Sequence, residues 1–360
     1  MTRAPLLLSM LTATSCALYD FSPENSPTVY DVMLLLSSRS TMNMNTYITC
    51  QSNLPTQLSL PDTQLVAEGF NSYWFSHFLT TGHDTEYVLL AQAVVLPTNE
   101  ISIRTSLLDV GNPEVYWQSS STVPLQGNAT SVNGQLSIKG EGFELSSDSD
   151  DNIASMVSGG STDHYKYNLT VKASSRVILN AGTGFFNWGK GNTTQWSLPS
   201  GQTSGTLSIG DSLYQVNGER SMTWYDRQYG GSGPDGGFTW FGVQFPGSNV
   251  KASIWLSDNE DPEQRLRFAT VRTNYGLSIV RFNATADPND VWTSPTTNTT
   301  YQTKWFLDFD NGDFLEVTSV RKDQEILAEG LLAASAFASV TGRFFGQKKG
   351  FALIDVVPAK

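Results

Sequence analysis

The segment Thr223–Gly230, with the sequence TWYDRQYG, carries the residues best suited to chemistry. In a β-strand alternate side chains share a face, so Trp224, Asp226 and Gln228 lie together, and Arg227 faces the other way unless a bulge turns it. Asp226 and Gln228 are polar neighbours of Trp224, and the Arg227 guanidinium stays protonated and acts as a fixed cationic donor. We therefore predict that Trp224, Asp226 and Arg227 are catalytic and that Gln228 contacts the ligand.

Two further aromatic segments supply candidates for the same site. In Phe238–Phe245 the side chains of Trp240 and Gln244 share a face, and Gly242 leaves space between them. We predict that Trp240 binds substrate and that Gln244 is catalytic. In the segment before Phe78, Trp74 and Ser72 are substrate-binding candidates, and His77 lies on the opposite face, where a structural role is favoured. Trp305 is a substrate-binding candidate for a barrel interior.

Conventional catalytic motifs are missing from the sequence. There is no Gly-x-Ser-x-Gly elbow, no His-Glu-x-x-His and no Cys-x-x-Cys. The glycines at 182 and 184 lack the third glycine of a dinucleotide loop, and residues 189–193 lack the spacing of a phosphate loop. Three His and two Cys argue against a metal site, so we predict no metal and no cofactor. The 34 acidic residues leave a carboxylate pair for glycoside hydrolysis open.

Composition restricts the partners. The net charge of −12 argues against nucleic acid and against a polybasic membrane patch. No apolar run reaches the roughly 18 residues of a membrane-spanning helix, so no stable insertion is expected. Nine Trp, thirteen Tyr and nineteen Phe exceed the needs of two cores, although core packing explains most of them individually. The sequence thus favours small apolar ligands, and it leaves the oligomeric state open.

The N-terminus has the pattern of a secretory signal at residues 1–17. Arg3 precedes the short apolar stretch 4–14, and Ser15-Cys16-Ala17 places small residues before a cut after Ala17. A buried N-terminal helix and lipidation at Cys16 are the alternatives. We expect a protein of the secretory pathway. Five glycosylation sequons fit this expectation but are no more frequent than chance predicts: Asn128, Asn168, Asn192, Asn283 and Asn298.

Short β-type runs separated by Gly, Pro, Asn and Asp recur along the whole chain, which predicts an all-β protein of sandwiches or barrels. The clearest hairpin joins Lys304–Phe309 to Phe314–Val320, with Asn311-Gly312 suited to a type I′ turn. Loose Gly- and Ser-rich sequence at 189–205 suggests a boundary near residue 205. We therefore expect a first domain over 18–205 and a second over 206–360. The acidic stretch 148–163 is interpreted as a loop within the first domain.

Four segments together resemble a known superfamily: 71–75 (NSYWF), 106–109 (SLLD), 223–230 and 238–245. The pattern is similar to the tandem lipocalin-like proteins that include hydroxyneurosporene-synthase-type carotenoid hydratases and fungal Diels–Alderases. Within the fungal branch, the layout is most similar to the hetero-Diels–Alderases of tropolone-sesquiterpenoid biosynthesis. The resemblance implies two lipocalin-like β-barrel or β-sandwich domains in tandem, with a ligand pocket at or near their junction.

The sequence departs from this superfamily at two positions. Bacterial members carry Glu two residues before the Trp of the first motif, where this chain has Ser72. They carry Asp-His-Gln-Trp-Gly in the second motif, where this chain reads Asp-Arg-Gln-Tyr-Gly at 226–230. Arginine is a poor proton donor, so this replacement argues against hydration of an alkene.

The resemblance implies a cofactor-free pericyclase of fungal meroterpenoid biosynthesis. The expected reaction is an intermolecular hetero-Diels–Alder cycloaddition between a tropolone-derived quinone methide and a humulene-type sesquiterpene alkene, for which orientation and a hydrogen-bond donor suffice. Intramolecular decalin formation is a second enzymatic reading. A secreted lipocalin-like carrier of apolar ligands and a carbohydrate-binding β protein are the alternatives from other classes.

Overall fold

The computed structural model describes residues 18–24, 58–65, 67, 69–82, 84–129, 134–231, 233–259, 261, 264–328 and 331–359. The predicted signal segment 1–17 and both cysteines lie outside these residues. The described chain is all-β apart from one short helix, α1 (Leu60–Thr63), and a 3₁₀ turn at Asn180–Gly182. Within the described ranges, no helix has the length and hydropathy that crossing a membrane requires.

Thirteen strands within the described ranges form the first sheet. Their bounds are β1 Phe70–Thr80, β2 Glu86–Val95, β3 Glu100–Asp109, β4 Tyr116–Pro124, β5 Ser137–Gly140, β6 Phe143–Ser147, β7 Ser155–Ser161, β8 Tyr165–Ala173, β9 Ile178–Leu179, β10 Phe185–Trp188, β11 Gly191–Ile209, β12 Ser212–Val216 and β13 Met222–Gly230.

The first sheet curls into a nearly closed barrel of ten strands in the described chain, in the order β4-β3-β2-β1-β13-β11-β8-β7-β6-β5. The loop after β4 approaches β5, where the N–H of Gln126 donates to the carbonyl of Lys139 at 2.8 Å. Alternation along the strands sends one set of side chains into the barrel interior. That core includes Tyr73, Phe75, Trp196 and Tyr225, all fully buried. We refer to this sheet as the first barrel.

The remaining strands begin at Phe238. Their bounds are β14 Phe238–Gln244, β15 Lys251–Ser257, β16 Leu266–Thr273, β17 Gly276–Ala286, β18 Val291–Thr293, β19 Thr300–Gln302, β20 Lys304–Phe309, β21 Phe314–Ser319, β22 Glu325–Ala328, β23 Leu331–Phe344 and β24 Gln347–Val357.

Eight of these strands, counted in the described chain, close into a second barrel in the order β21-β20-β17-β16-β15-β14-β24-β23. Pairing of β21 with β23 completes the ring. Strand β22 pairs with β23 outside that ring, and β18 and β19 form a separate hairpin. The interior is filled by residues such as Phe241, Val243, Trp305 and Leu307. The all-β, two-barrel architecture predicted from the sequence is therefore confirmed.

The barrels meet through their outer faces, which share a third apolar cluster. Trp74 and Trp224 from the first barrel and Trp240 and Trp255 from the second belong to it. These side chains alternate with those that fill the two barrel interiors, because successive residues of a strand point to opposite faces. Strands near the junction therefore bury both faces, and β1 and β2 are almost entirely buried.

The division between the sheets does not fall at residue 205. Strand β11 runs through that position, and its neighbour β13 still belongs to the first barrel, so the sheets part between Gly230 and Phe238. Gly205 marks a local change within β11. Residues before it pair with β13, and residues from Gly205 onward pair with β12. The Gly- and Ser-rich composition that suggested a boundary belongs to a bent strand.

The predicted hairpin between β20 and β21 is present, but its turn differs in type. Gly312 has φ 84°, whereas Asn311 is absent from the positive-φ residues of the described chain. The N–H of Gly312 donates to the carbonyl of Phe309, and the N–H of Phe309 donates to that of Asp313. This three-residue loop is typical of a type I turn followed by a glycine bulge, rather than type I′.

A substitution at Gly205 tests the bent strand. Its φ is 133°, and a β-carbon added there would lie 2.1 Å from the carbonyl oxygen of Asn168. We expect Gly205→Ala to lower the free energy of unfolding by about 3 kcal/mol or more, because the clash is with backbone. Gly210→Ala is the control, since φ there is 55° and the space is open; it should cost about 1–2 kcal/mol. Equal costs in urea titrations would contradict this explanation.

Candidate functional site

A cavity of about 220 Å³ lies between the two barrels. Both barrels and the segment that joins them contribute walls. The lining residues are Phe70, Ser72, Trp74, Gln92, Arg104, Trp188, Gln195, Asp226, Gln228, Gly233, Pro234, Asp235, Phe238, Trp240, Trp255, Asp355 and Val357. We call this space the junction cavity.

The strand register of the first barrel aligns the residues that face the junction in a row. Residues paired across neighbouring strands sit side by side on one face. The row runs across β11, β13, β1, β2 and β3 through Ser197, Asp226, Trp74, Gln92 and Arg104. A parallel row, two residues along, contains Gln195, Gln228 and Ser72. Residues distant in sequence are thus collected on one outer face of the first barrel.

The second barrel presents a matching row. Across β15, β14, β24 and β23, the paired residues are Trp255, Trp240, Asp355 and Ser335. Gly242 permits this arrangement, because an added β-carbon there would lie 2.6 Å from the Trp240 ring. The space that the sequence predicted beside Gly242 is therefore occupied by the Trp240 indole.

The aromatic walls interlock edge to face. The Trp74 and Trp240 ring centroids are 6.1 Å apart with an interplanar angle of 72°, and those of Trp188 and Trp255 are 4.7 Å apart at 79°. The indole N–H groups of Trp74 and Trp240 donate to Ser76 and Ser253 within their own barrels. Their carbon surfaces are therefore what these two rings offer to a ligand.

Asp226 is the carboxyl with the most perturbed surroundings in the cavity. Burial raises the pKa of Asp226 from 3.8 to about 7, and the nearby Ser197 hydroxyl and Trp224 indole oppose the rise only in part. Its Oδ1 makes no hydrogen bond to any residue that the structure describes. A carboxyl with a pKa near 7 exists in both protonation states at neutral pH, which suits a group that gives and takes a proton.

Arg104 and Asp355 form an ion pair across the junction. The Arg104 Nη2 lies 3.4 Å from Asp355 Oδ2, and the two side chains are only 2% and 9% exposed. Ser335 donates to the other carboxylate oxygen of Asp355 at 2.8 Å. The Arg104 Nε donates to Gln92 at 2.6 Å, and its guanidinium lies 5.3 Å from the centre of the Trp74 ring. A fixed cation therefore stands beside the aromatic wall.

Several polar atoms that line the cavity have no hydrogen-bond partner among the described residues. They are Asp226 Oδ1, Gln195 Oε1, Gln228 Nε2, Arg104 Nη1 and Trp255 Nε1. Buried polar atoms are normally paired, so a cluster of unpaired ones around one cavity indicates a site that is completed by a ligand or by water. The cluster offers hydrogen-bond acceptors and donors within an aromatic frame.

Five of the residues predicted from the sequence come together here: Ser72, Trp74, Asp226, Gln228 and Trp240. Trp224 lies behind them. It is 1% exposed, and its ring packs edge-on against Trp240 at 5.7 Å. Trp224 thus supports the wall without lining the cavity.

Arg227 is a correction to the predicted site. Its side chain points into the first barrel, where it is fully buried and lies 4.2 Å from the centre of the Tyr73 ring. It donates to the carbonyls of Thr63 and Leu65 and to Asn71 Oδ1, at 2.7 to 2.9 Å. Alternation along β13 forces this orientation. Arg227 therefore holds the α1 region against β1 and does not reach the junction cavity.

Gln244 and Trp305 are also placed elsewhere. Gln244 donates to the carbonyl of Pro199 and lines a different cavity, beside residues 20–24. Trp305 lies in the packed interior of the second barrel, edge-on against Phe241 with ring centroids 5.4 Å apart, and it does not line the junction cavity as a substrate-binding residue would. His77 is structural, as expected. It hydrogen-bonds Thr223 and Ser158, and burial lowers its pKa to about 3.

Four residues of the cavity were not predicted from the sequence: Arg104, Asp355, Gln92 and Gln195. A signal existed for the first two, because each is a charged residue next to apolar residues in the middle of a strand run, and buried charges require partners. Their pairing could not be foreseen, since 251 residues separate them. The sequence argument against hydration considered position 227 alone and overlooked Asp226, whose pKa is raised to about 7 by burial.

No group of three or more His, Cys, Asp or Glu side chains in the described ranges is arranged to hold a metal ion. The five sequon asparagines are all exposed: Asn128, Asn168, Asn192, Asn283 and Asn298. They are therefore sterically open to a glycan, and their modification stays a prediction.

Comparison with known proteins identifies relatives over nearly the whole chain. The profile of the AttH-like family matches residues 91–347. A kievitone hydratase of Fusarium solani subsp. phaseoli is 26% identical over 370 aligned positions, which cover 99% of this chain and 98% of the relative. The dehydratase asqC of Emericella nidulans is 27% identical over 317 positions, covering 84% and 89%.

Solved structures give the same picture of the fold. Kievitone hydratase from Nectria haematococca superposes with a TM-score of 0.80 at 25% identity, covering 95% of this chain and 99% of the other. A putative AttH of Nitrosomonas europaea gives 0.69 at 15% identity, covering 85% and 99%. CghA, solved with Sch210972, gives 0.55 at 9% identity, covering 81% and 89%. The last two establish similarity of fold alone.

The ion pair between the barrels yields a stability prediction. We expect Arg104→Met to lower the free energy of unfolding by about 3–5 kcal/mol, because it leaves the Asp355 charge buried and unpaired. The double variant Arg104→Met with Asp355→Leu should recover part of that loss. The control is Arg281→Met, which removes the exposed pair with Asp310 and should cost less than about 1 kcal/mol. Equal losses in the two single variants, measured by chemical denaturation, would contradict this prediction.

The raised pKa of Asp226 predicts a pH dependence of stability. Between pH 3.8 and about 7 the folded protein keeps a proton that the unfolded chain has released. The free energy of unfolding contributed by Asp226 therefore falls as the pH rises through this window, by about 1–4 kcal/mol in total. Asp226→Asn should lack that decline, so the difference between the two proteins in urea titrations should change with pH. A difference that is constant from pH 4 to 7 would refute the assignment.

Proposed function

Because the chain belongs to the AttH-like family, we propose that its junction cavity catalyses the addition of water to, or its removal from, a small natural product. The observation that carries this proposal is the buried Asp226 carboxyl inside an aromatic cavity, with a pKa of about 7 and an Oδ1 that no described residue hydrogen-bonds. The names of both relatives, a hydratase and a dehydratase, support the same reaction class.

The chemistry follows from the charges around the cavity. In the hydration direction, protonated Asp226 gives its proton to one carbon of a double bond, and the adjacent carbon becomes cationic. Water adds to that carbon, and its released proton returns to the Asp226 carboxylate, so the carboxyl is regenerated. Dehydration is the reverse. The ring faces of Trp74 and Trp240 stabilise the cationic carbon. Burial of the cavity keeps bulk water away from the rest of the substrate.

The polar atoms without partners define how a substrate is oriented. Gln228 lies two residues from Asp226 on β13 and pairs with Gln195 on the neighbouring β11, whereas Arg104 lies on β3, at the far end of the row that contains Asp226. We infer that the amides position the reacting end and that Arg104 donates to a carbonyl or phenol oxygen at the other end. The substrate class is therefore an apolar alkene or alcohol with one oxygenated end that accepts hydrogen bonds.

Asp226→Asn is the direct test. We expect the rate of water addition to kievitone, the substrate in the relative's name, to fall by about 10²–10⁴-fold, because the amide cannot transfer the proton. The product is detected as a gain of one water molecule by mass spectrometry. Asp211→Asn, in the exposed turn after β11, is the matched control and should leave the rate unchanged. An active Asp226→Asn protein would refute the role of Asp226.

A second candidate is the hetero-Diels–Alder cycloaddition that the sequence resemblance implied. Its supporting observation is Arg104, whose unbonded Nη1 provides a fixed donor for a carbonyl of an electron-poor diene. The cavity volume of about 220 Å³ is below the roughly 300–1,000 Å³ typical of ligand pockets. This small volume favours the first candidate, a lyase that adds water to one substrate or removes it, over the cycloaddition. A cycloaddition must accommodate two joined hydrocarbon partners in that space.

Water labelled with heavy oxygen separates the two candidates. A lyase incorporates the label into its product, whereas a cycloaddition joins two carbon partners and incorporates none. The protein should be incubated with kievitone in one reaction and with a tropolone-derived quinone methide plus humulene in another. Labelled product in the first supports the lyase. A changed ratio of unlabelled cycloadducts over the spontaneous background, in the second alone, would replace it with the pericyclase.

A further inference from the structure

The described chain begins with a short segment that is anchored to a buried carboxylate. The backbone N–H of Leu18 donates to Glu86 Oε2 at 2.7 Å, and that of Tyr19 donates to Oε1 at 2.9 Å and to Oε2 at 3.1 Å. Glu86 is the first residue of β2 and is only 3% exposed. We call residues 18–24 the N-terminal strap. Its first two residues donate backbone hydrogen bonds to the buried Glu86 carboxylate.

Glu86 lacks a direct counter-ion among the described residues. Among the residues that the structure describes, its carboxylate takes part in no ion pair, and backbone N–H groups are its closest donors. The charged groups that face it are Arg220, which lowers its pKa, and Asp20, which raises it, and neither is within ion-pair distance. Burial is the largest influence and raises the pKa of Glu86 above its ordinary value. A buried carboxylate bound only by neutral donors is costly, because its negative charge is not compensated.

The sequence places a cleavage signal next to these contacts. The small residues Ser15 and Ala17 predict a cut directly before Leu18. Hydrolysis there by an endopeptidase breaks the bond between the Ala17 carbonyl carbon and the Leu18 nitrogen. Water supplies the hydroxyl of the new carboxyl group, and the freed nitrogen becomes an α-ammonium group at neutral pH. The new positive charge arises on the atom that lies 2.7 Å from Glu86 Oε2.

We propose that the chain is cut after Ala17 and that the Leu18 ammonium forms a buried ion pair with Glu86, which locks the strap across the junction. Maturation supplies the counter-charge that Glu86 lacks. A neutral donor becomes a charged one without moving, and charge-assisted hydrogen bonds are roughly twice as strong as neutral ones.

The strap then completes the core between the barrels. Phe21 is 1% exposed, and its ring lies 5.5 Å from Phe78 of the first barrel and 5.1 Å from Phe351 of the second. Tyr19 packs edge-on against Phe337 at 5.0 Å. At the far end, the N–H of Glu24 donates to Ser200 Oγ at 3.0 Å. Holding Leu18 in place therefore also holds the N-terminal strap, which contacts both barrels.

The first test is the N-terminal sequence of the protein secreted from a fungal host. We expect it to begin at Leu18. A mature chain that begins at any other residue would overturn the proposal, because the α-ammonium would then lie away from Glu86.

The second test compares purified protein beginning at Leu18 with protein that carries one added glycine before Leu18. The glycine turns the ammonium back into an amide while leaving the N–H contact sterically available. We expect the midpoint of thermal unfolding to fall by at least about 3 °C. In a Glu86→Gln background the added glycine should have no effect, whereas in a Glu100→Gln background the fall should persist. Glu100 is a half-buried carboxylate at the start of β3.

A chemical readout distinguishes the ion pair from general stabilisation. The Leu18 amine should react with an acylating ester at neutral pH about tenfold more slowly in the wild type than in Glu86→Gln, because pairing keeps it protonated. Equal acylation rates, or an added glycine that leaves the thermal midpoint unchanged, would overturn the ion pair.

Discussion

The edge-to-face contact between Trp74 and Trp240 is the constraint on which the rest of this structure depends. Each indole projects from the outer face of a barrel, where a soluble protein would normally place polar side chains. Such a face is stable only when another face covers it, because exposed indole surface is costly in water. The barrels therefore pack against each other, and the polar residues interleaved with the indoles are buried as a consequence. The unusual pKa of Asp226 results from an arrangement whose main driving force is apolar.

The same constraint explains which parts of the molecule could be predicted from its sequence. Two-residue alternation along β13 placed Trp224, Asp226 and Gln228 on one face of that strand, and in the structure all three lie on its junction side. It also placed Arg227 on the opposite face, although we expected a catalytic role for it. Local periodicity therefore predicts which residues of a single strand share a face, and no more of the site than that.

Contacts between residues on different strands could not be predicted from the sequence. The partners Arg104 and Asp355 come from strands near opposite ends of the chain, and only the closure of both barrels brings them together. The division between barrels was misplaced because the Gly and Ser content of β11 reflects a bend in a continuous strand, which composition cannot distinguish from a linker. Chemical roles were equally hidden, since the proton affinity of a carboxyl depends on what covers it.

The segment between Gly230 and Phe238 has two structural roles. It is the covalent link from one barrel to the next, and its residues Gly233, Pro234 and Asp235 also line the junction cavity. Gly233 packs against the Trp188 indole, and the backbone at Gly237 lies against Val357 with no room for a side chain. A change in the angle between the barrels must therefore move part of the cavity wall. A change in the length of this segment would therefore alter the wall of the cavity together with the spacing of the two barrels.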